Sequence, residues 1–313
     1  MSIAETEPGG LGTPGQSTDL APTDLPPTGQ SSAQPPTRRG RRTVLLSGIP
    51  VLIYVLAALI GPILVPYDST VTRLTDRLKG PGALLATGGH ALLGTDQVGR
   101  DLFAQVIAGA RVSMLVGLVT VLVASVLGSL LGLLAGYAGG RVDSLVMRIA
   151  DVQLAFPSIL LAILIAAVIG PSLPNVIFTL AITRWVVFAR VARASALSLR
   201  EREFVDAAKV LGASRWKVLT GDILPSALGP LLVLGTSQFG LVIVAEAALS
   251  YLGLGTPPSS PSWGVTIANG RDYLDTAWWI STIPGIALAV LVLCIAVLGD
   301  SVRDYLDPTG EGR

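Results

Sequence analysis

The sequence has few charged residues, one cysteine and one histidine, and each scarcity excludes a class of protein. Charged residues make up 14% of its 313 residues, against about 25% in a typical soluble domain. Cys294 lies inside an apolar run, so neither a disulfide framework nor a cysteine-based metal site is available. His90 alone cannot form a His-rich metal site, and we expect it to be a loop histidine. A net charge of +1 gives no reason to expect a nucleic-acid partner.

Signatures of catalysis are missing as well. The chain has no G-x-x-x-x-G-K-[ST] phosphate loop, so it cannot hold ATP by that route. A Ser/His/Asp or Cys/His set is not possible, because His90 lies in a loop and Cys294 lies in an apolar span. We therefore predict that the chain is not an enzyme, has no catalytic residue, and binds no metal or cofactor itself.

Residues 1–42 differ in composition from the rest of the chain. Positions 1–37 are rich in Pro, Gly, Ser, Thr and Gln and cannot bury enough apolar surface to offset the entropy of ordering, which predicts a disordered tail. An arginine cluster follows, and then an apolar run from Val44 to Val65 of about 22 residues, enough to cross a bilayer core of roughly 30 Å. Because no A-x-A cleavage site follows, we predict a retained membrane helix rather than an export signal.

Five further apolar segments predict five more membrane spans. They are Val112–Tyr137, Val152–Gly170, Leu173–Ala189, Ser226–Leu252 and Ile280–Leu298. The stretch 81–93 is apolar, but it is short and interrupted by two glycines, so we do not count it. Six spans place both termini on one side of the membrane, and the arginines before the first span indicate that this side is the cytoplasm.

This topology divides the chain into five parts. The core is expected to contain a cytoplasmic loop over 194–225, because basic residues concentrate between positions 190 and 217. The predicted parts are a disordered cytoplasmic tail (1–42), a first transmembrane helix (43–66), an extracytoplasmic loop (67–111), a five-helix core (112–299) and a cytoplasmic C-terminal tail (300–313).

Small residues in the second span predict close helix packing. Ala124, Gly128, Gly132 and Gly136 are four apart, a spacing that lets helices approach closely in a bilayer. Trp278 and Trp279 precede the last span, and we expect them to anchor it at the outer membrane interface.

The most polar helical pattern in the chain lies in residues 203–225, which we call the elbow. Phe204, Ala207, Ala208 and Leu211 have the i, i+3, i+4, i+7 spacing of one apolar helix stripe, and Gly212 follows as a helix end. Ser214 can cap a second short helix, with Trp216, Leu219 and Ile223 on its apolar face and Pro225 at its end. Such a pair can dock on another protein or pack on its own chain, and the pattern leaves both open.

Two ionisable residues lie inside predicted spans. Glu246 is costly to bury with its charge, roughly 2–3 kcal/mol on insertion scales, so it should face a cavity or a partner, or be protonated. A structural hydrogen bond to a neighbouring helix is the alternative. Arg184 lies about 9 Å of helix rise from Arg190, and we expect its side chain to snorkel to the inner interface.

The elbow also resembles a known pattern. Asp206-Ala207-Ala208, Gly212 and Leu224-Pro225 are similar to the EAA loop of ABC importer permeases, E-A-A-x3-G-x9-I-x-L-P. Asp206 stands where Glu is usual, and Asp222 stands where Ile is usual. In that family the loop is cytoplasmic and inserts into a groove of the ATPase subunit. The resemblance implies these coupling residues: Glu203, Asp206, Ala207, Ala208, Gly212, Ala213, Leu224 and Pro225.

Other stretches resemble the dipeptide, oligopeptide and nickel branch of these permeases. Residues 90–101, HALLGTDQVGRD, resemble its L-G-T-D-x-x-G-R-D signature, here an extracytoplasmic motif. Thr95 and Asp96 can cap a following helix and the glycines allow a tight turn, so an ordered turn without ligand stands beside direct substrate contact. Residues 245–264 and 299–308 resemble the same branch, which implies that Glu246 and Ser250 lie near the translocation path or outer gate. The motif residues are Gly94, Thr95, Asp96, Gly99, Arg100 and Asp101.

The resemblance implies an all-α integral membrane protein with six transmembrane helices, namely a type I (MetI-like) ABC importer permease core with one additional N-terminal helix. The implied partners are a homologous second permease, two ABC ATPase subunits that bind the ATP, an extracytoplasmic binding protein and the lipid bilayer of the cell membrane. Peptides are the expected cargo, with nickel or glutathione as alternatives. A stand-alone secondary transporter or channel is the alternative from another class, and a membrane scaffold is a third.

Overall fold

A computed structural model of the chain describes residues 38–65, 68, 71–203, 205, 210–212, 214–257 and 259–306. Within these residues the regular structure is helical, accompanied by two isolated β-bridges between positions 84 and 101. A π-helical turn, Leu219–Ile223, joins α6 to α7, and Arg271–Tyr273 forms a 3₁₀ turn. The α-helices are α1 (Arg38–Leu64), α2 (Leu102–Ala138), α3 (Gly140–Leu154), α4 (Ser158–Ile169), α5 (Leu173–Arg200), α6 (Arg215–Val218), α7 (Leu224–Tyr251), α8 (Trp263–Gly270) and α9 (Trp279–Leu306).

Five of these helices are long and apolar enough to cross a membrane, and a sixth span is possible as the bent pair α3 and α4. The predicted span Val152–Gly170 is therefore wrong as a single helix. Its first residues belong to α3, and α4 turns away from α3 by 88° after a break at 155–157. With 12 residues, α4 is about 18 Å long, too short to cross a bilayer core alone.

Several helices extend beyond their predicted ends. α2 begins at Leu102 and not at 112, because Asp101 caps it by accepting a hydrogen bond from the Phe103 amide. α5 continues to Arg200, and α9 continues to Leu306. Hydropathy marks the part of a helix that lies in lipid, whereas a helix continues until its backbone is capped.

The parallel helices α2 and α5 form the centre of the bundle, and they meet at the glycines of α2. A Cβ atom added at Gly128 or Gly132 would overlap the α5 backbone at Trp185 or Ala189. A Cβ at Gly136 would lie 2.7 Å from the carbonyl oxygen of Arg193. The predicted close packing is confirmed, and it has a steric cause, since a side chain at these positions would push the two backbones apart.

An ion pair and a hydrogen bond join α3 to α5. Arg193 makes a two-pronged ion pair with Asp143, including an Nη2 to Oδ2 distance of 2.6 Å. The indole nitrogen of Trp185 donates to Gln153 Oε1 at 2.9 Å. These bonds fix α3 at the end of the bundle where α2 and α5 finish, which we call the elbow end.

α1 packs at the periphery against α2 and α9. The Tyr54 hydroxyl donates to the Ala287 carbonyl oxygen at 3.1 Å, and Ser47 donates to Ser301 at 3.2 Å. These contacts place the start of α1 beside the last turns of α9, so both helices have those ends at the elbow end. The opposite end, covered by residues 71–101, is the motif end.

Candidate functional site

The predicted motif residues form a bonded turn at the motif end. Thr95 is buried, and its hydroxyl donates to the Asp76 carbonyl oxygen at 2.5 Å and accepts from the Lys79 amide at 2.9 Å. The Thr95 carbonyl oxygen accepts from the indole nitrogen of Trp279 at 3.2 Å. Thr95 therefore ties residues 71–101 to α9.

Asp96 holds the next part of the turn. Its Oδ1 accepts from the amides of Val98 at 2.9 Å and Arg100 at 2.8 Å. Its Oδ2 accepts from the Gln105 side chain on α2 at 2.9 Å. Neither Thr95 nor Asp96 caps α2, which corrects that prediction, because the capping position is Asp101, the residue directly before the helix.

Backbone geometry explains the two glycines of the motif. Gly94 has φ +88° and Gly99 has φ +78°, a region that side chains disfavour. A Cβ at Gly99 would overlap the Arg73 carbonyl oxygen, and one at Gly94 would lie 2.7 Å from the Lys79 carbonyl oxygen. The tight turn is confirmed, and the motif residues contact their own chain, as an ordered turn requires. Their function stays a prediction.

Two carboxyl groups of this region have shifted pKa values. The hydrogen bond from Lys79 at 2.7 Å, followed by the Ala86 amide, lowers the pKa of Asp76. The Asp76 carboxylate therefore stabilises the fold above its ordinary pKa, and this contribution is lost as the pH falls through the lowered value. Burial raises the pKa of Asp101, against the opposing amide bonds from Phe103 and Ala104.

Of the predicted tryptophan anchor, only Trp278 is exposed. Trp279 is buried against Gly94 and Thr95, and Trp278 alone is half-exposed, in an edge-to-face contact of 6.2 Å with Trp279. The motif turn covers Trp279, an arrangement that no local signal around residue 279 indicates.

Glu246 is fully buried in a hydrogen-bond network that joins α7, α2 and the start of α8. Its Oε1 accepts from Ser250 at 2.6 Å, one turn along α7, and its Oε2 accepts from Ser113 on α2 at 3.2 Å. Ser262, the cap of α8, donates to the Ser250 hydroxyl at 3.3 Å. A hydrogen bond to a neighbouring helix, one of the two predicted interpretations, is thus present. Sequence reasoning missed Ser113 and Ser262, although a serine just before an apolar helix is a recognisable cap signal.

Arg184 makes a contact that the snorkelling prediction does not include. Its Nη1 lies 3.5 Å from Gln238 Oε1 on α7, and its Nε is buried with no partner among the described residues. This places the guanidinium between α5 and α7 inside the bundle.

A cavity of about 520 Å³ opens at the motif end, between the last turn of α7 and α8. Ser250 and Gln97, the latter inside the motif sequence, both line this α7–α8 cavity. The structure therefore brings the motif sequence and Ser250 to one place, whereas Glu246 does not line the cavity. Over the described part of the chain, no three His, Cys, Asp or Glu side chains are grouped as metal ligands.

The elbow has a buried part and an exposed part. Val205, Val218 and Ile223 are fully buried in a cluster with α5 and α7. In contrast, Val210 is 89% exposed and Leu211 is 87% exposed. Gly212 beside them has φ +82°, and a Cβ atom added there would have no neighbour within 4 Å. Glu203 and Pro225 are exposed, and Leu224 is partly buried. Of the other coupling residues, Asp206, Ala207, Ala208 and Ala213 lie outside the described residues.

The second half of the elbow continues into α7 without a loop. Ser214 accepts from the Lys217 amide at 3.3 Å, so the predicted cap is confirmed. Pro225 does not end the helix, which corrects that prediction. The π-helical turn Leu219–Ile223 precedes it, and the Leu224 amide bonds to Leu219 five residues back. The wider turn accommodates a proline, which lacks an amide hydrogen and would clash in a regular α-helix.

The chain is similar in sequence to known proteins over most of its length. The family model of the binding-protein-dependent transport system inner membrane component matches residues 128–309, more than half of the chain. A di/tripeptide transport system permease protein of Pseudomonas aeruginosa is 41% identical over 260 residues, 82% of this chain and 85% of the relative. A glutathione transport system permease protein of Pectobacterium atrosepticum is 36% identical over 269 residues, 86% of this chain and 87% of the relative.

A solved structure shares the fold. A chain of the inward-facing MetNI methionine ABC transporter has a similar structure, with a TM-score of 0.53 and 18% sequence identity. The match covers 65% of the present chain and 96% of the MetNI chain. The predicted type I permease core is confirmed, and the stand-alone transporter is excluded. ATP hydrolysis in such importers resides on separate subunits. The chain thus belongs to the binding-protein-dependent transport system inner membrane components, as a multi-pass permease subunit of an ABC importer.

Proposed function

We propose that the chain forms half of a translocation path for short peptides and that an ATPase subunit drives it by holding the elbow. The observation that carries this proposal is the exposure of Val210 and Leu211, 89% and 87%, beside Gly212. Two neighbouring large apolar side chains next to a flexible backbone position suit a surface that a partner covers. By contrast, four apolar residues of the elbow are buried against the chain itself and anchor the elbow: Val205, Val218, Leu219 and Ile223.

Continuity of the backbone provides the mechanical link. The elbow continues through Leu224 and Pro225 into α7, whose far end borders the α7–α8 cavity. A movement of the elbow can therefore be transmitted along one helix to the motif end. ATP binding can drive such a movement only if the ATPase holds one geometry of the elbow more tightly than the other.

Basic residues support a cytoplasmic position for the elbow end. Arg190, Arg193, Arg200 and Lys217 all lie there, and cytoplasmic segments are enriched in Lys and Arg. The N- and C-terminal tails are then cytoplasmic, and the motif end faces a binding protein outside. A homologous second permease completes the path, and two ATPase subunits bind ATP below.

The names of the relatives support the cargo class. One relative is a di/tripeptide permease, and another is a glutathione permease. Glutathione is itself a tripeptide, so both names indicate short peptides. A binding protein selects among them before delivery.

The test is ATP-dependent uptake of a labelled tripeptide by the complete importer in proteoliposomes. Proline cannot adopt the φ of +82° at Gly212, so we expect Gly212→Pro to abolish uptake at normal membrane abundance. Gly212→Asn is the matched control, because asparagine tolerates this conformation, and it should transport normally. Asp206→Lys, chosen from the family resemblance, should also abolish uptake. Normal uptake by Gly212→Pro would show that the elbow does not couple.

A further inference from the structure

The α7–α8 cavity has the size of a small-molecule site. Residues 250–253 at the end of α7, α8 and the turn Arg271–Tyr273 surround a space of about 520 Å³. Pockets that enclose small ligands commonly have volumes of about 300–1,000 Å³. The cavity therefore has room for a molecule of a few amino-acid residues.

Arg271 borders the cavity and makes a cation–π contact with Tyr251. Arg271 is the only Lys or Arg between positions 218 and 302 of the sequence. Its guanidinium carbon lies 5.6 Å from the centre of the Tyr251 ring, a favourable cation–π distance. A guanidinium binds a carboxylate through two parallel hydrogen bonds, and the ring limits its motion before a ligand arrives.

An anion lies directly beside that cation. Asp272 follows Arg271 and pairs with its Nε at 3.4 Å, and the Asp272 side chain is 75% exposed. Both side chains of this ion pair are at least half exposed, so a molecule in the cavity can reach each of them. A cation and an anion in adjacent positions match a zwitterion, which carries one charge of each sign.

Two residues that line the cavity each have a buried polar atom with no partner among the described residues. Thr256 is 5% exposed, and its hydroxyl makes no hydrogen bond. Gln97 Oε1 is also buried and unpaired. Its neighbours Asp96 and Val98 are fixed by the motif turn, so the turn also positions Gln97. Buried polar groups without partners are rare, and a ligand that pairs with them binds more tightly for that reason.

We propose that the α7–α8 cavity binds the free peptide on its way into the translocation path. Arg271 binds the terminal carboxylate, Asp272 binds the terminal ammonium group, and Gln97 Oε1 accepts from a peptide amide. Thr256 donates to a peptide carbonyl oxygen. The inference rests on the proposed function, because it takes the peptide as cargo. A loop of the binding protein is a poorer match, because an internal segment has neither terminal charge.

The test uses trialanine and the complete importer in nanodiscs, without binding protein. Saturation-transfer NMR measures the Kd of trialanine and of its C-terminal amide. We expect saturable binding of trialanine, at least tenfold weaker binding of the amide, and a similar loss for trialanine with Arg271→Gln. The amide should bind Arg271→Gln and wild type equally. Thr256→Val should weaken both peptides, whereas the control Thr276→Val, outside the cavity, should weaken neither.

Uptake assays with the binding protein separate the two ideas. If the wild-type importer takes up no peptide, the proposed function fails. If it takes up tripeptide but shows no saturable trialanine binding, or equal binding in the wild type and Arg271→Gln, the cavity inference alone is overturned. Variants that weaken docking of the binding protein and leave the trialanine Kd unchanged would assign the cavity to that protein and overturn the inference as well.

Discussion

The two ends of the bundle treat their signature residues in opposite ways. At the motif end, the carboxylate of Asp96 accepts three hydrogen bonds from its own chain, and Thr95 makes four more. At the elbow end, Val210 and Leu211 are almost fully exposed. The residues of the first sequence signature contact this chain itself, whereas Val210 and Leu211 of the second are left uncovered by it. Two motifs that are equally clear in sequence can therefore differ in whether their partner is internal.

The difference has an energetic consequence. Hydrogen bonds to a charged group contribute about 1.5–3 kcal/mol each, so a substitution within the motif should be destabilising. Substitution of an exposed apolar side chain usually changes stability by less than about 0.5 kcal/mol. We therefore expect substitutions at the motif end to lower the free energy of unfolding. Substitutions in the exposed part of the elbow should reduce transport with little change in stability.

The largest effect is expected from Gly99→Ala. Its Cβ would overlap the Arg73 carbonyl oxygen while the backbone keeps φ +78°, so both a clash and conformational strain arise. We expect a loss of about 3 kcal/mol or more in the free energy of unfolding, measured by equilibrium unfolding in detergent micelles.

Gly88→Ala is the control for the strain alone. Gly88 has φ +84°, but an added Cβ would meet no atom within 4 Å. Its expected cost is about 1–2 kcal/mol, from the left-handed backbone only. Equal losses in the two variants would show that the close packing of the turn contributes nothing.

Glu246→Leu should have the next largest effect. It leaves the hydroxyls of Ser113 and Ser250 buried without an acceptor, at a cost of about 1–3 kcal/mol. Glu246→Gln keeps an acceptor for Ser250 and should cost less than about 1 kcal/mol. Uptake measured on the same two variants distinguishes the interpretations of this residue. If Glu246→Gln is stable and yet inactive, the carboxylate acts in the path and its role is not only structural.

Sequence reasoning located the elements well, because a bilayer imposes a length and a polarity on every span. It also predicted close packing of α2, since glycines four apart let another helix approach, but it did not identify α5 as the partner. It missed the bend between α3 and α4, because hydropathy carries no information on the direction of a helix axis. Pro157 alone does not determine an angle of 88°.

Contacts distant in sequence were beyond such reasoning. Ser113 lies 133 residues from Glu246, and Trp279 lies 184 residues from Thr95. Only the fold brings these pairs together. The α7–α8 cavity depends on the same kind of contact, because Gln97 and Arg271 come from opposite halves of the chain.

The smallest effect on stability is expected from Leu211→Ala, and this variant tests the contrast most directly. Leu211 is 87% exposed, whereas Leu219 in the same elbow is 6% exposed. We expect Leu211→Ala to change the free energy of unfolding by less than about 0.5 kcal/mol, and Leu219→Ala to cost about 2–5 kcal/mol. Leu211→Ala should nevertheless reduce ATP-dependent uptake, because the ATPase loses an apolar contact. A substantial loss of stability would mean that Leu211 packs on its own chain, and the elbow end would then be as self-contained as the motif end.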